Sequence, residues 1–486
     1  MDPFRSDAEL VAVLGDWSAG PGPLHRKLAA ALRRAIDDGS LAPGERLPSE
    51  RQLAQQLAVS RTTVVAAYDS LRAHGLLDSR RGSGTRVSGG LRPRRAGSDG
   101  RVPGGRATAI FQRLIEGPGE VISLACASQE GGHQIADEIR AMAAEDLDDL
   151  LALPGYQPRG LESLRRAVAE HLTTCGLPTS PAQVLATNGA HQALALAAEL
   201  YVRRHSAVVV ENPGWPGYMD ILTSAGARLV GVPLDGEGVQ PAALDAALAD
   251  RAPVLACLMP TYQNPTGILM SERRRRAVAR LVARYEVPLL EDHSYVALAE
   301  AGADGHLPAP IASYAAPDAE ILTVGSLGKA VWGGLRIGWI RAPEPVIDRL
   351  ARRKTLADLG TSLLDQAVAA RLVRRHPELV ERRSRELRDR LDLLERLLRQ
   401  RLPQWRWRRP EGGAALWIEL PRPDATAFAQ VALRHGVEVV PGAAMDPDGR
   451  DDTHLRVPFT YPAEMLHTLV DRLAAAWTRF DRRPPA

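Results

Sequence analysis

The sequence has few cysteines and no long apolar run. Its three cysteines form no CxxC pair, and its twelve histidines show neither an HxxxH spacing nor a Cys/His cluster. This pattern argues against a disulfide framework and a zinc site, and it favours a reducing compartment. The first twenty residues lack the apolar stretch of a signal peptide, and no later segment has the length of a membrane span. We therefore expect a cytoplasmic protein without a bound metal.

The charge is small overall but unevenly distributed. The 486 residues carry a net charge of +3, and residues 1–108 hold 17 Arg or Lys against 11 Asp or Glu, which is +6. Most of this excess lies between Arg80 and Arg106, where eight arginines face one acid, Asp99. A chain of this length exceeds one hydrophobic core, so two or three domains are expected. The basic segment indicates a polyanionic partner at one end, although a solvated linker is the simpler alternative.

Residues 22–87 have the pattern of a winged helix-turn-helix. Apolar residues recur at helical spacing after Leu24, a second helix begins after Ser49, and a third begins after Ser60. A polar hairpin with glycines at its tip, Asp78 to Val87, follows. In this geometry the later helix enters the major groove with its N-terminal residues leading, and the hairpin contacts the backbone of double-stranded DNA.

Three stretches of this region resemble the GntR family of bacterial winged-helix regulators. They are "GSLAPGERLPSER" (39–51), "VSRTTV" (59–64) and "GSGT" (82–85). Geometry and resemblance together predict contacts with an operator by Arg51, Ser60, Arg61, Thr62, Thr63, Arg80, Arg81 and Gly82. Taken singly, Ser60 could be only a helix cap and Arg51 only a surface charge.

The remainder divides into a linker and a larger body. Residues 88–108 are Gly, Pro, Ser and Arg with almost no apolar residue, which predicts a flexible basic linker. From 109 to 480 apolar strand-like runs alternate with helical stretches, as in α/β domains with a largely parallel sheet. A Leu-striped segment, Pro377 to Leu402, predicts a long helix leading into a smaller lobe (mainly 350–480), and a coiled coil is the weaker interpretation. The run Arg273 to Arg276 is expected on the solvated face of a helix.

The scarcity of lysine directs attention to Lys329. Only Lys27, Lys329 and Lys354 interrupt a chain that otherwise uses arginine. Pyridoxal 5'-phosphate (PLP) needs an amine that can lose its proton, which arginine cannot. Lys329 lies just after the predicted strand Ile321–Val324, within small residues that let a ligand approach closely.

Other residues meet the remaining needs of PLP. Asp292, at a strand end, is the natural partner of a protonated pyridine nitrogen, and Tyr295 and Asn264 can donate to the phenolic oxygen. Candidate phosphate donors are Ser326, Arg336 and the backbone N–H groups of Gly189, Ala190 and His191, which open a helix. An alternative role for His293 is to orient the Asp292 carboxylate.

The motifs "NPGWPGY", "QNPTG", "EDHSY" and "GSLGKAVWGGLRIGW" resemble class I/II aminotransferases of PLP fold type I, over about Leu150 to Phe459. The resemblance implies that Trp215 stacks on the cofactor and that Arg456 binds the carboxylate of an effector or substrate. It also implies that Tyr156 reaches the cofactor phosphate of a partner subunit. The segment "SLACASQEG" (123–131) differs from the sequence that the family usually has in its substrate loop. The residues on the amino-group side of the pocket are therefore left unassigned.

The combination of head, linker and body resembles the MocR/GabR subfamily of GntR regulators over nearly the whole chain. This implies a multidomain fold: an α+β winged helix-turn-helix followed by an α/β fold type I body with a large parallel-sheet domain and a smaller C-terminal lobe. It further implies a head-to-tail homodimer and sensing of a small amine or amino-acid-like effector through PLP. Two alternatives stay open: a working aminotransferase that also binds DNA, and a regulator whose body has lost the cofactor.

Overall fold

A computed structural model describes residues 7–19, 22–37, 40–80, 84–88, 117, 119–127, 131–295 and 307–481. The expected linker and the tip of the wing, with Arg81 and Gly82, lie outside these residues. None of the helices within the described ranges combines the length and apolar character needed to cross a membrane.

The head contains four helices and a three-stranded sheet. Its helices are α1 (Asp7–Leu14), α2 (Leu24–Asp37), α3 (Glu50–Gln56) and α4 (Arg61–Ala73), and its strands are β1 (Arg46–Leu47), β2 (Leu77–Arg80) and β3 (Gly84–Val87). The antiparallel sheet has the order β1-β3-β2, so β2 and β3 form the expected hairpin. The winged helix-turn-helix is therefore confirmed. Helix α1 was not predicted, and it adds Leu10 and Leu14 to the core of the head.

Local chemistry explains where the two helices of the helix-turn-helix begin. Ser49 forms a complete capping box with Gln52 before α3, as its spacing predicts. Ser60 caps α4, and its Oγ accepts a hydrogen bond of 3.2 Å from the amide of Thr63. Tyr68 of α4 is fully buried, and its hydroxyl donates to the carbonyl of Pro48, which ties the two helices together.

The body is built on an eight-stranded sheet with the order β5-β12-β11-β10-β9-β6-β7-β8. Its strands are β5 (Val184–Thr187), β6 (Ala207–Asn212), β7 (Arg228–Asp235), β8 (Gly238–Val239), β9 (Leu255–Leu258), β10 (Leu289–Asp292), β11 (Ile321–Ser326) and β12 (Gly338–Arg341). The central pairs are parallel, as predicted, whereas β12 runs antiparallel to both β11 and β5. The central strands are buried on both faces because helices cover the sheet on each side.

Some helices of the large domain precede β5, and the others follow β5 or a later strand of the sheet. They are α5 (His133–Glu145), α6 (Leu147–Leu151), α7 (Glu162–Thr174), α8 (Gly189–Tyr201), α9 (Pro216–Ser224), α10 (Pro241–Arg251), α11 (Glu272–Arg284), α12 (Leu327–Ala330), α13 (Glu344–Asp358) and α14 (Leu363–Arg374). The expectation for Arg273 to Arg276 is wrong at two positions of α11. Arg275 is fully buried and Arg274 nearly so. Arg275 donates to the carbonyls of Met270 and Pro260, so it fastens loops rather than facing solvent.

The C-terminal lobe contains the predicted long helix. Its helices are α15 (His376–Arg401), α16 (Ala425–Arg434) and α17 (Ala463–Asp481), and its strands are β13 (Arg406–Trp407), β14 (Ala415–Glu419), β15 (Val437–Glu438), β16 (Val440–Pro441) and β17 (His454–Pro458). The predicted leucine stripe of α15 is buried against α17. Strand β4 (Ile122–Ser123) comes from the N-terminal side of the body and pairs in parallel with β15.

The head contacts the C-terminal lobe through α16. The guanidinium of Arg434, the last residue of α16, donates to the carbonyls of Leu57 (3.3 Å) and Ala58 (3.1 Å) in the turn between α3 and α4. The indole of Trp17 donates to the side chain of Gln430 at 3.0 Å. Both contacts use α16, so this helix attaches the head to the C-terminal lobe.

Candidate functional site

Three residues gather where β10 and β11 end. These strands are parallel neighbours, with Asp292 opposite Val324, so the residues that follow them meet at one edge of the sheet. The Nζ of Lys329, on α12, lies 5.7 Å from the centre of the Tyr295 ring. It donates a 2.6 Å hydrogen bond to the carbonyl of Ala127. The structure thus brings Lys329, Tyr295 and Asp292 to one edge, as the sequence predicts.

The Asp292 carboxyl is buried and held by its own turn. Its Oδ1 accepts from the amide (2.8 Å) and the hydroxyl (2.6 Å) of Ser294, and burial raises its pKa. A cation close to this carboxyl would therefore be strongly favoured. The alternative role for His293 is wrong. Its Nε2 bonds Glu291 at 3.0 Å and its Nδ1 bonds Thr261, because alternate residues of a strand point to opposite faces.

A second carboxyl, which the sequence analysis missed, lies near Asp292. Glu211, at the end of β6, is fully buried, and burial raises its pKa to about 7. Its Oε2 accepts from Gln263, the residue before Asn264, at 3.2 Å. The only sequence signal was a charged residue inside an otherwise apolar strand. Near neutral pH this carboxyl is poised between its two protonation states.

The predicted phosphate donors meet where β5, β12 and β11 lie side by side. Gly189 opens α8 with φ of +76°, and a Cβ on Gly338 would lie 2.7 Å from the carbonyl carbon of Gly189. Arg336, also with positive φ, donates to the carbonyl of Asn188 at 3.0 Å. Ser326 is paired with Gly338 across the sheet. The backbone N–H groups at the start of α8 thus lie beside the exposed guanidinium of Arg336, and this arrangement suits a phosphate.

A buried ion pair supports this cradle from behind. Lys354 is fully buried on α13, and its Nζ lies 2.6 Å from Oδ2 of Asp358. The same oxygen accepts from the side chains of Asn188 (2.9 Å) and Gln192 (2.6 Å). The sequence analysis missed this cluster, although the rarity of lysine was a usable signal. It fixes Asn188, the residue that directly precedes α8.

An aromatic wall flanks the cradle. Trp215 precedes α9, and its ring meets that of His191 edge-to-face, with centroids 5.9 Å apart. Burial, and then the charge of Arg336, lower the pKa of His191, so its ring is neutral near pH 7. The two predicted residues Trp215 and His191 therefore meet beside the phosphate cradle.

Arg456 and Asn264 are joined directly. Arg456 on β17 is only 4% exposed, and its Nε donates to Oδ1 of Asn264 at 3.0 Å. Its Nη1 donates to the carbonyls of Leu124 (3.1 Å) and Ala125 (3.4 Å). These acceptors are uncharged, so a carboxylate that reached Arg456 would make a stronger, charge-assisted contact.

The segment 124–127 is part of the site, and the sequence analysis missed it. Three of its backbone carbonyls accept hydrogen bonds from Arg456 and Lys329. Backbone carbonyls carry no side-chain signature, and the unusual wording of this segment was the only available hint. At the position of the family's substrate loop, this chain thus contacts the site through backbone carbonyls and not through a recognisable loop sequence.

Tyr156 lies apart from this group. It is 72% exposed on the loop between α6 and α7, and it has no contact with Lys329 or Arg336 in the described structure. Its expected role belongs to a partner subunit, and it stays a prediction.

In the head, the predicted DNA-contact residues lie on two helices. Arg61 and Thr62 are exposed at the start of α4, and Arg51 is exposed on α3. The Ser60 hydroxyl lies 2.8 Å from the hydroxyls of both Thr62 and Thr63. Ser60 is thus a helix cap that also holds its neighbours. The backbone of Arg80 ends β2, whereas its side chain, Arg81 and Gly82 lie outside the described residues.

Comparison with known proteins agrees with both ends of the chain. Residues 127–473 match the family model of class I and II aminotransferases, and residues 24–87 match that of the gntR family of bacterial regulatory proteins. The HTH-type transcriptional regulator YisV of Bacillus subtilis is 33% identical over 90% of this chain and 92% of its own length. The probable rhizopine catabolism regulatory protein MocR of Rhizobium meliloti is 30% identical over 72% of this chain and 71% of its own.

Among solved structures, the α-aminoadipate aminotransferase LysN of Thermus thermophilus, complexed with N-(5'-phosphopyridoxyl)-L-leucine, superposes with a TM-score of 0.69. It is 26% identical and covers 76% of this chain and 94% of its own. The body therefore has the fold type I architecture of PLP-binding aminotransferases, and the head is of the gntR type. The chain belongs to the class I and II aminotransferase family and, through its head, to the MocR/GabR subfamily of HTH-type transcriptional regulators.

Proposed function

We propose that this transcriptional regulator binds PLP through Lys329 and senses a small amine or amino-acid-like effector at the same site. One observation carries the proposal. The segment 124–127, whose carbonyls accept hydrogen bonds from Lys329 and Arg456, directly follows β4, and β4 pairs with the strand that follows the helix in contact with the head.

The site residues fit PLP by their chemistry. Close backbone approach at Gly189 and Gly338 leaves an open cradle for the phosphate, which Ser326 and Arg336 would complete. Asp292 would hold the pyridine nitrogen protonated, and Tyr295 and Asn264 would donate to the phenolic oxygen. When bound, PLP supplies an aldehyde that reacts reversibly with amines. Trp215 would cover the ring, and Arg456 would orient an effector's carboxylate.

A continuous path joins this site to the head. Ala127, Ala125 and Leu124 contact Lys329 and Arg456, and β4 just before them pairs with β15. Strand β15 follows directly from α16, whose last residue, Arg434, holds the turn between α3 and α4. An effector carboxylate that draws Arg456 away from Leu124 would release one end of this path, and the head would be repositioned on its lobe.

On the DNA side, we propose that Arg61 reads a base and that Arg51, Thr62, Thr63, Arg80, Arg81 and Gly82 contact the backbone of an operator. Short donors around one arginine at a helix start favour this division of roles. We also propose a head-to-tail homodimer in which Tyr156 reaches the partner's cofactor phosphate. The exposure of Tyr156 supports it. A solution mass near twice 52.5 kDa is expected, and a monomer at micromolar concentration would contradict it.

A working aminotransferase with a DNA-binding head is the second candidate. The completeness of the site favours it, because Lys329 can serve turnover as well as sensing. Steady-state transamination on the order of 10 per second, typical of metabolic enzymes, would establish this function instead. A sensor is expected to turn over common amino donors slowly or not at all.

The cofactor assignment is tested by the visible absorption of the purified protein. The Lys329→Ala variant should lose the band of the covalently bound cofactor, whereas Lys27→Ala, a change in the head, should keep it. Asp292→Asn should weaken PLP binding because the pyridinium loses its counter-charge. An unchanged band in Lys329→Ala would refute the assignment.

A further inference from the structure

A cavity lies beside the proposed effector site. Its volume is about 480 Å³, within the range of roughly 300–1,000 Å³ typical of small-molecule sites. Its walls include Ala330 and Val331, which directly follow Lys329, and Thr460 and Tyr461, which follow β17 and Arg456. Helix α15 forms the opposite wall. None of the residues assigned to cofactor or effector binding lines this space.

The wall contributed by α15 is positively charged. Arg382, Arg383 and Arg390 line the cavity together with one acid, Glu386, so the described lining residues carry a net charge of +2. Arg383 is mostly buried, with Nη1 2.9 Å from Glu386 and Nη2 3.3 Å from the carbonyl of Val331. Burial, and the nearby charges of Arg390 and Arg382, lower its pKa, although Glu386 opposes this change. Glu386 is paired with Arg382 and Arg383, whereas Arg390 donates to a backbone carbonyl, so the lining keeps an excess of positive charge.

A buried hydroxyl also lacks a partner here. Thr460 is 2% exposed, and its Oγ1 has no hydrogen-bond partner in the described structure. Its backbone carbonyl accepts from Nη1 of Arg390, and both residues line the cavity. A buried hydroxyl without a partner is unfavourable, and a ligand oxygen that accepts a hydrogen bond would satisfy it.

We propose that this cavity binds an oxyanion, namely a carboxylate, sulfonate or phosphate group, with Arg390 and Thr460 as donors. The oxyanion can be a free ion or the distal acidic group of an effector whose amine end lies at Lys329. The second source rests on the proposed function, whereas the site itself does not. An effector with two acidic groups would then be distinguished from its neutral analogues.

The first experiment is independent of PLP. Inorganic sulfate and phosphate are titrated calorimetrically into the full-length Lys329→Ala protein and into the same protein carrying Arg390→Gln, Thr460→Val or Arg385→Gln. Arg390→Gln should weaken binding roughly tenfold or more, because a charged hydrogen bond is lost. Thr460→Val should weaken it about two- to tenfold without destabilising the fold, since its hydroxyl bonds nothing in the described structure. Arg385, paired with Glu381 on the exposed side of α15, is the matched control and should bind like its parent.

A sulfate or phosphate affinity that Arg390→Gln leaves unchanged would overturn the proposal, because such binding would lie at the phosphate cradle beside Gly189 instead. Absence of sulfate and phosphate binding at millimolar concentration, or an equal loss in Arg385→Gln, would overturn it as well. The second experiment separates the two sources in the PLP-loaded protein. L-Aspartate, L-glutamate and L-2-aminoadipate are compared with L-glutamine by the shift of the cofactor band. A preference for one acid over L-glutamine that Arg390→Gln removes identifies the effector's distal group, whereas sulfate binding without such a preference identifies a free anion.

Discussion

The buried pair of Lys354 and Asp358 allows a quantitative prediction. Asp358→Ala removes the one acidic partner that the described residues give to a fully buried ammonium group, at an N–O distance of 2.6 Å. Breaking one side of a buried pair costs about 3–5 kcal/mol. The cost cannot rise without limit, because Lys354 can lose its proton. With an unfolded pKa of about 10.4, deprotonating this side chain at pH 7 costs about 4.6 kcal/mol, which is the upper limit. We therefore expect a loss of about 3–5 kcal/mol in the free energy of unfolding at pH 7.

Lys354→Met should cost less than Asp358→Ala. Methionine has a similar length and carries no charge, so no buried ammonium group remains. Asp358 keeps three uncharged donors, the side chains of Asn188 and Gln192 and the amide of Gly360, and it is 19% exposed to solvent. A loss of about 1–3 kcal/mol is expected. Glu162→Ala, which removes an exposed pair with Arg166, is the control and should stay within about 0.5 kcal/mol.

The pH dependence distinguishes this explanation from simple loss of packing. Burial already lowers the pKa of Lys354, and removal of Asp358 lowers it further. Between the lowered folded pKa and about 10.4 the unfolded chain binds one more proton. The stability of Asp358→Ala should therefore rise with pH by up to about 1.4 kcal/mol per unit.

Urea unfolding followed by tryptophan fluorescence reports on the body, because seven of the eight tryptophans lie there and only Trp17 lies in the head. The reasoning is refuted if Lys354→Met costs as much as Asp358→Ala. It is also refuted if the stability of Asp358→Ala, relative to the parent, is flat between pH 7 and 9.

Three further predictions concern the head and the acid stability of the body. Ser60→Ala should cost about 1 kcal/mol by uncapping α4, measured by hydrogen exchange of the head, and Ser60→Asp should retain the cap. Arg61→Ala should lose roughly 1–3 kcal/mol of binding free energy on operator DNA but little on random DNA. Arg81→Ala should reduce the slope of log affinity against log salt concentration by about one on both DNAs. Equal losses on the two DNAs for Arg61→Ala would make Arg61 a phosphate contact. Burial lowers the pKa of His171 to about 4 and of His376 to about 3, so the body should lose stability as pH falls below 6.5. In His376→Phe the slope of the unfolding free energy against pH should be shallower by up to about 1.4 kcal/mol per unit. An unchanged slope would exclude the titration of His376 as a cause.

The sequence predicted what rests on periodicity and chemically distinctive side chains. The alternation of strands and helices, including the strand Ile321–Val324, was predicted because such strands are short and apolar, and Lys329 was found because lysine is rare here. The reversed direction of β12 could not be predicted, because strand direction leaves no mark on composition. Arg275 was misplaced because a charge run at a helix start usually faces water, and only the loops packed around it show that its guanidinium is bonded.

The site was predictable to the extent that its function depends on side chains. Asn264 and Arg456 come together, yet the acceptors that link Arg456 and Lys329 to the rest of the molecule are backbone carbonyls of Leu124 and its neighbours. The bond between Arg434 and the turn after α3 joins residues more than 370 positions apart. No local pattern encodes such a contact, so the path between the two ends emerges only from the three-dimensional structure.

The central claim, that the PLP site controls the DNA-binding head, is tested most directly by one titration with two readouts. Candidate amines and amino acids are added to the protein on fluorescent operator DNA, while cofactor absorbance and DNA anisotropy are recorded in the same sample. The account predicts that an effective ligand changes both signals with the same midpoint. It also predicts that Lys329→Ala removes both responses and that Arg434→Ala keeps the spectral response but weakens the change in DNA affinity. A ligand that saturates the cofactor site while DNA affinity stays constant would contradict it.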